Sequence, residues 1–208
     1  MSNVFDRYWK EYDAWYDKHK FAYLSELAAI KKVLPKKGKG LEIGIGTGRF
    51  AALLGIQYGI DPSANMVRIA KKRKVNARVG YGQKLPYRDS AFDYVAIINT
   101  LCFVKNPEQV LRESWRVLKK NGKIIVGIID KNNFLGKFYK RKKSIFYKRV
   151  NFFSCHDMFN LLKLQRFNHP ISYQTIFDFP VNMASIQKPK KGYGEGGFVV
   201  FSARKIGD

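Results

Sequence analysis

The chain has 208 residues, with 39 Lys and Arg against 16 Asp and Glu, which gives a formal net charge of +23. The 46% hydrophobic content is enough to bury a core and excludes an intrinsically disordered chain, and the length suits one domain over residues 1–208. No apolar run approaches the roughly 20 residues of a membrane span, and the N-terminus does not read as a signal peptide, so we expect a soluble, cytoplasmic protein. The cysteines, Cys102 and Cys155, stand apart and predict neither a disulfide framework nor a metal centre.

Aromatic and leucine residues at helical spacing predict a helix over Phe5–Leu34, which Pro35 and the glycines after it bring to an end. We therefore treat residues 1–36 as an N-terminal helical cap. A short apolar strand, Leu41–Ile43, follows and runs into a glycine-rich turn.

Strands and helices then alternate along the chain. The predicted elements are helix Arg49–Leu54, strand Ile56–Ile60, helix Asn65–Lys74, strand Val75–Val79, strand Ala91–Ile98, helix Pro107–Leu118, strand Lys123–Ile129, helix His156–Leu164, and strands Ile171–Phe179 and Phe198–Ala203. Because several strands are apolar throughout, the pattern predicts an α/β fold with a parallel sheet covered on both faces.

The turn after the first strand carries Gly44, Gly46 and Gly48, and the next strand ends at Asp61. Glycines here let the backbone approach a ligand, and an acid at the following strand end can accept both hydroxyls of a ribose. The pair predicts a site for a nucleoside-containing cofactor. The third glycine comes one residue too early for the dinucleotide fingerprint, since Arg49 occupies that place, which disfavours a nicotinamide-dependent dehydrogenase.

Ordered motifs between Leu41 and Asp130 resemble those of the class I S-adenosylmethionine-dependent methyltransferases, in the ubiquinone-biosynthesis-type subgroup (methyltransferase type 11). They are Leu41–Gly48, Gly59–Ser63, Leu85–Val95, Val110–Leu118 and Asn121–Lys123. The resemblance implies a doubly wound, Rossmann-like sheet of seven strands in the order 3-2-1-4-5-7-6, the last antiparallel.

The resemblance also implies S-adenosyl-L-methionine as cofactor and in-line methyl transfer to an acceptor, for which a small molecule is our first expectation. Since the sulfonium is already activated, the reaction needs alignment more than acid–base help, and we assign no catalytic residue and no metal.

By resemblance, the cofactor-binding positions are Glu42, Gly44, Ile45, Gly46, Gly48, Asp61, Pro62, Met66, Tyr81, Gly82 and Asn99. Glu42 would act near the cofactor's amino group and Asp61 would accept the ribose hydroxyls. Pro62 and Met66 would flank the adenine, and Asn99 would lie near the transferred methyl group.

One position departs from the family pattern. Where the family carries an acid that accepts from the adenine amino group, this chain has Tyr81, followed by Gly82 and Gln83. Tyr81 could stack on the adenine or bond through its hydroxyl, or the backbone could take over the acceptor role.

Related enzymes place an N-terminal helix over the substrate entrance, which makes Tyr12, Trp15, Tyr16 and His19 our candidate substrate contacts. An aromatic cage can hold a cationic or flat acceptor. The alternative is that these aromatics only pack the helix onto the fold.

Residues 131–165 form a basic, aromatic segment that we expect to act as a lid. Between Lys131 and Val150 it contains the cations Lys137, Lys140, Arg141, Lys142, Lys143, Lys148 and Arg149, with Phe138, Tyr139, Phe146 and Tyr147 interleaved. Such a mixture suits phosphate contacts and base stacking, so an RNA-binding protein or an RNA methyltransferase is the alternative function. An amphipathic lid whose aromatics face inward explains the same residues.

Overall fold

The computed structural model describes residues 2–142, 144–147 and 150–207. The helices are α1 (Ser2–Arg7), α2 (Trp9–Lys18), α3 (Lys20–Val33), α4 (Arg49–Leu54), α5 (Ala64–Lys72), α6 (Pro107–Val117), α7 (Phe134–Arg141) and α8 (Cys155–Leu164). The strands are β1 (Gly40–Ile43), β2 (Tyr58–Asp61), β3 (Asn76–Val79), β4 (Phe92–Ile98), β5 (Leu118–Ile129), β6 (Phe167–Thr175), β7 (Lys190–Lys191) and β8 (Phe198–Lys205). Short 3₁₀ turns lie at Leu101–Phe103 and Pro180–Asn182.

The strands form a single sheet in the order β3-β2-β1-β4-β5-β8-β6-β7. The first five strands in this order, from β3 across to β5, pair in parallel. Strand β8 lies antiparallel between β5 and β6. The predicted α/β architecture and strand order are confirmed. The described sheet differs in having an eighth strand, β7, which is only two residues long and pairs with β6 at the edge.

Side chains of the central strands alternate between two cores, one on each face of the sheet. On β4, Tyr94 and Ala96 face the core that the N-terminal helices cover, whereas Val95 and Ile97 face the core under α6 and α8. Burial on both faces explains why this strand is apolar throughout.

The N-terminal segment folds as three helices where the sequence predicts one. The breaks fall at Tyr8 and His19, whose backbones leave the helical region. At the second break the His19 Nδ1 atom lies 2.9 Å from the Trp15 carbonyl oxygen, so the ring shares that acceptor with the His19 amide. The helical spacing of the apolar residues continues across Tyr8 and His19, so the sequence pattern does not reveal the two helix breaks.

Strand β6 lies earlier in the chain than the predicted Ile171–Phe179. It spans Phe167–Thr175 and ends at Ile176, which has a positive φ of 60°. This backbone conformation lies outside the β region, so the strand cannot continue through Ile176. Strand β5 likewise begins at Leu118, before the predicted Lys123, with an irregular register around Asn121.

The parallel topology brings the ends of β1, β2 and β4 to one edge of the sheet. Gly44 follows β1, Asp61 ends β2 and Asn99 follows β4. Asn99 has a positive φ of 49°, which turns the chain sharply at this edge. Within the described ranges, no helix is long and apolar enough to cross a membrane, and no group of three or more His, Cys, Asp or Glu side chains could hold a metal ion.

Candidate active site

Two neighbouring cavities open at this edge of the sheet. The first, of about 380 Å³, is lined by the glycine-rich turn and the end of β2, and we call it the turn cavity. The second, of about 250 Å³, lies beneath α2 and α3, and we call it the cap cavity. Both cavities are lined by Phe5, Tyr12, Asn99 and Phe103, so these residues mark where the cavities meet.

The backbone of the glycine-rich turn forms one wall of the turn cavity. Gly44, Gly46 and Gly48 all have positive φ, between 54° and 79°. A Cβ atom on Gly44 would lie 2.3 Å from the Thr100 side chain, and one on Gly46 would come within 3.4 Å of the Tyr12 ring. The first glycine therefore lets the turn pack against the end of β4, and the second keeps the wall of the cavity bare.

Asp61 lies at the floor of the turn cavity with only 8% of its surface exposed. The Gly46 amide donates to Oδ2 and the Ser63 amide donates to Oδ1, both at 2.9 Å. Burial raises the pKa of Asp61, against the lowering effect of these two hydrogen bonds. Since a carboxylate can accept about four hydrogen bonds, each oxygen retains a lone pair for a ligand hydroxyl.

The far end of the turn cavity is apolar and closely built. Pro62 and Met66 line one side, and Tyr81 and Gly82 line the other. A Cβ atom on Gly82 would lie 2.6 Å from Ile43, so only glycine keeps this approach open. The Tyr81 side chain is 59% exposed, which leaves its ring free to cover a flat ligand.

Gln83 also lines the turn cavity, although the motifs did not indicate it as an acceptor. Its position directly after Tyr81 and Gly82, at the point where the family acid is missing, is the signal that could have identified it.

Three predicted cofactor positions, Glu42, Ile45 and Gly48, line neither cavity. Gly48 instead allows the start of α4 to approach α5, because its Cβ atom would lie 3.0 Å from Ala70. Glu42 is buried on β1 with its Oε2 atom lacking a hydrogen-bond partner, and burial raises its pKa to about 8.

The structure places three of the four predicted substrate contacts at the cap cavity. Tyr12, Trp15 and Tyr16 line the cap cavity, and the Tyr12 and Tyr16 hydroxyls share a hydrogen bond of 2.7 Å. His19 lines neither cavity and instead stacks on Trp15 with the ring centroids 4.5 Å apart.

Glu26 on α3 is a cap-cavity residue that the sequence analysis missed. It is 3% exposed, and its Oε2 atom has no hydrogen-bond partner. Burial raises its pKa to about 8, although a hydrogen bond from Asn99 works in the other direction. The sequence does indicate that Glu26 is buried, because it lies on the same helical face as Tyr23, Leu27 and Ile30.

The basic, aromatic segment 131–165 supplies the opposite wall of the cap cavity. Its inward-facing side chains are Leu135, Tyr139, Phe146, Tyr147 and Phe152, with Lys142 and Ser144 beside them. Lys143, Lys148 and Arg149 lie outside the described residues, and their predicted phosphate contacts stay predictions. The aromatics that could have stacked on bases mostly face the cavity, whereas Phe138 is 42% exposed.

Aromatic rings pack together at the junction between the two cavities. Phe5 packs edge-on against Phe103 with the centroids 4.9 Å apart, and it also contacts Tyr12 and Phe146. We call Phe5, Tyr12, Phe103 and Phe146 the aromatic lid.

Asp13 on α2 fastens the cap to the glycine-rich turn. It accepts hydrogen bonds from Thr47 at 2.5 Å and from Arg49 and Arg73 at 2.9 Å. Burial works to raise the pKa of Asp13, but these hydrogen bonds together lower it well below its usual value.

Comparison with known proteins identifies the family. Residues 41–126 match the type 11 methyltransferase domain family. A Thermotoga maritima protein, described as an S-adenosylmethionine-dependent methyltransferase and possible histamine N-methyltransferase, is 45% identical, with a TM-score of 0.96 over 99% of this chain and 100% of its own. An uncharacterized Methanocaldococcus jannaschii protein is 47% identical over 98% of this chain and its whole length. A demethylmenaquinone methyltransferase from Bacillus mycoides is 33% identical, and the match covers 60% of each chain.

The chain therefore belongs to the class I S-adenosylmethionine-dependent methyltransferases. This confirms the resemblance carried by the motifs from Leu41 onward, and it leaves the dehydrogenase alternative without support.

The turn cavity fits the cofactor that the family implies. Asp61 offers free lone pairs on both oxygens, Gly46 presents bare backbone, and Gly82 keeps the far end open to a flat ring.

Proposed function

We propose that the protein transfers a methyl group from S-adenosylmethionine, bound in the turn cavity, to a small molecule bound in the cap cavity. The observation that carries this proposal is the junction between the cavities, where Tyr12 and Asn99 line both. A donor on one side and an acceptor on the other would meet at these two residues.

Within this proposal, the turn at Gly44–Gly48 and the carboxylate of Asp61 hold the cofactor's methionine and ribose portions. Pro62, Met66 and Tyr81 hold the adenine. The bound cofactor supplies an activated methyl group on a sulfonium.

The chain's own contribution is alignment and exclusion of water. Positioning two reactants can supply about 7–11 kcal/mol of barrier reduction, so no acid–base pair is required. The aromatic lid covers the junction with packed rings, and Asp13 holds helix α2 in the position that brings Tyr12 over Gly46. Cys102 lines the cap cavity, but burial raises the pKa of its thiol to about 12, which keeps it protonated and unsuited to nucleophilic attack.

The inward-facing aromatic side chains of the cap cavity favour a small acceptor over RNA. Tyr139 and Tyr147 face into the cavity, so they are not presented on the surface as stacking platforms. The related proteins described above give the RNA alternative no support.

The ribose assignment is tested with Asp61→Ala. Losing hydrogen bonds to a charged group costs about 1.5–3 kcal/mol, so we expect affinity for S-adenosylhomocysteine to fall at least ~10-fold in calorimetric titration. Asp89→Ala is the matched control, because Asp89 is exposed, pairs with Arg116 and lines neither cavity. Equal affinities in the wild type and Asp61→Ala would contradict the assignment.

The transfer itself is tested with labelled S-adenosylmethionine and cell extract divided into small molecules, RNA and protein. We expect label in the small-molecule fraction. A defined panel should include histamine, because the Thermotoga maritima protein is described as a possible histamine N-methyltransferase. Label in RNA alone would refute the small-molecule proposal.

A further inference from the structure

The cap cavity contains two hydrogen-bond acceptors that the protein leaves without donors. They are Oε2 of Glu26 and Oδ1 of Asn99, both buried and both on residues that line the cavity. The two side chains are neighbours, since Asn99 affects the pKa of Glu26 through a hydrogen bond. A buried acceptor without a partner costs free energy, so this pair is matched to a ligand that brings several N–H donors.

No cation of the described chain neutralises Glu26. The ion pairs in ranges 2–142, 144–147 and 150–207 do not include it. Lys142, the cation that lines the cavity, is exposed and lies over the Phe138 ring instead. When Glu26 ionises, the positive charge that stabilises its carboxylate must therefore come from a molecule that enters the cavity.

The surroundings of Glu26 also suit a cation. Four tyrosines of the cavity, Tyr12, Tyr16, Tyr139 and Tyr147, lie close enough to feel its charge, which contributes to raising their pKa values. Aromatic faces attract an ammonium group, and the attraction is stronger where the cation is desolvated. The remaining lining residues, such as Leu135, Phe152 and Ile176, are apolar.

We propose that the cap cavity binds a small, largely apolar molecule carrying a protonated nitrogen, whose N–H groups are received by Glu26 and Asn99. This rests on the proposed function only in making that nitrogen the methyl acceptor. For that step the ammonium first gives a proton to the Glu26 carboxylate, and the freed lone pair forms the new N–C bond as the methyl carbon's bond to sulfur breaks. The binding site itself stands on the geometry of the cavity.

The test compares amines with alcohols of the same shape. 2-Phenylethylamine and tryptamine are titrated against 2-phenylethanol and indole-3-ethanol, using protein saturated with S-adenosylhomocysteine. We expect at least one amine to bind ~10-fold or more tightly than its alcohol, since a charged hydrogen bond is lost in the exchange. If no amine is preferred over its alcohol, the proposal is wrong.

Two variants assign the preference to a residue. Glu26→Gln keeps the shape of the side chain and should lose the preference for the amine, whereas Glu108→Gln, on the exposed surface of α6, should retain it. Affinity for S-adenosylhomocysteine is measured in both variants. If it is normal and Glu26→Gln still prefers the amine, the inference fails alone; if the wild type does not bind S-adenosylhomocysteine, the proposed function fails first.

Proton release gives a second readout. With the pKa of Glu26 at about 8, its carboxyl group is mostly protonated at pH 7, and binding of a cation should expel that proton. Amine affinity should therefore rise from pH 6 to pH 8. The facing tyrosines have raised pKa values and do not titrate in this range, while Glu11 and Lys142 lie exposed at the rim. Glu26→Gln should abolish the release, and an unchanged release in that variant would overturn the proposal.

Discussion

Glu42 shows how the site costs stability at the scale of one residue. Burial raises its pKa from 4.5 to about 8, so the folded chain holds a proton that the unfolded chain releases. Glu42 therefore does not lower the free energy of unfolding below pH 4.5, and it lowers that free energy increasingly as the pH rises from 4.5 toward 8. We predict that Glu42→Gln gains stability relative to the wild type as the pH increases from 5 to 8, measured by urea unfolding of the ligand-free protein.

Glu113 is a control for Glu42, because its pKa is shifted in the opposite direction. A hydrogen bond from Arg116 lowers its pKa, outweighing the effect of burial, so its stabilisation is present above pH 4.5 and is lost in acid. Glu113→Gln should therefore be less stable than the wild type by a nearly constant amount from pH 5 to 8, and this difference should shrink below pH 4.5. Parallel pH profiles for the two variants would contradict the assignment of Glu42.

Single residues were predictable where a local pattern fixes them. Gly44, Gly46 and Asp61 follow from a strand, a turn and a second strand in close succession, and each lines the turn cavity. Glu26 was not predicted as a site residue, because it lies beside Asn99 only in the folded chain, where the two side chains form a hydrogen bond. His19 was grouped with its helical neighbours, but the chain turns at that residue and carries its ring away from the cavity.

The attachment of α2 is a property of a whole element. Asp13 bonds Thr47, Arg49 and Arg73 at once, and its side chain is 16% exposed. We predict that Asp13→Asn lowers the free energy of unfolding by about 1.5–3 kcal/mol and weakens S-adenosylhomocysteine binding, because the turn loses its tie to the cap. Since the pKa of Asp13 is lowered, this difference should be present above pH 3.8 and shrink as the protein is acidified further.

Asp17 is the matched control on the same helix. It also pairs with Arg49, but its side chain is 71% exposed, and exposed pairs contribute less than about 1 kcal/mol. Asp17→Asn should therefore leave stability and binding nearly unchanged. An equal loss in both variants would mean that the net charge of α2, rather than the Asp13 contacts, holds the cap.

Elements with a strong apolar pattern were predicted within a few residues, whereas the irregular ones were not. Strand β4 and helix α4 follow from their composition, but β7 is a Lys190–Lys191 pair that no hydrophobic pattern could reveal. The end of β6 depends on the positive φ of Ile176, which tertiary packing imposes against its local preference.

Over the whole molecule, the net charge of +23 and the two-cavity site are separate features. The charge favours loose, salt-sensitive association with polyanions, whatever the enzyme methylates. The strand order β3-β2-β1-β4-β5-β8-β6-β7 instead brings the ends of β1, β2 and β4 together, which is what creates the turn cavity. Sequence motifs predicted this topology by resemblance. The cap cavity could not be predicted in this way, because segments distant in the chain build it.

A crystal structure of the protein soaked with S-adenosylhomocysteine would decide whether the turn cavity is a cofactor site. The expected result is density in that cavity, with the ribose hydroxyls on the two Asp61 oxygens and the adenine between Met66 and Tyr81. Crystals in which the cavity stays empty with S-adenosylhomocysteine but accepts NAD would contradict the account.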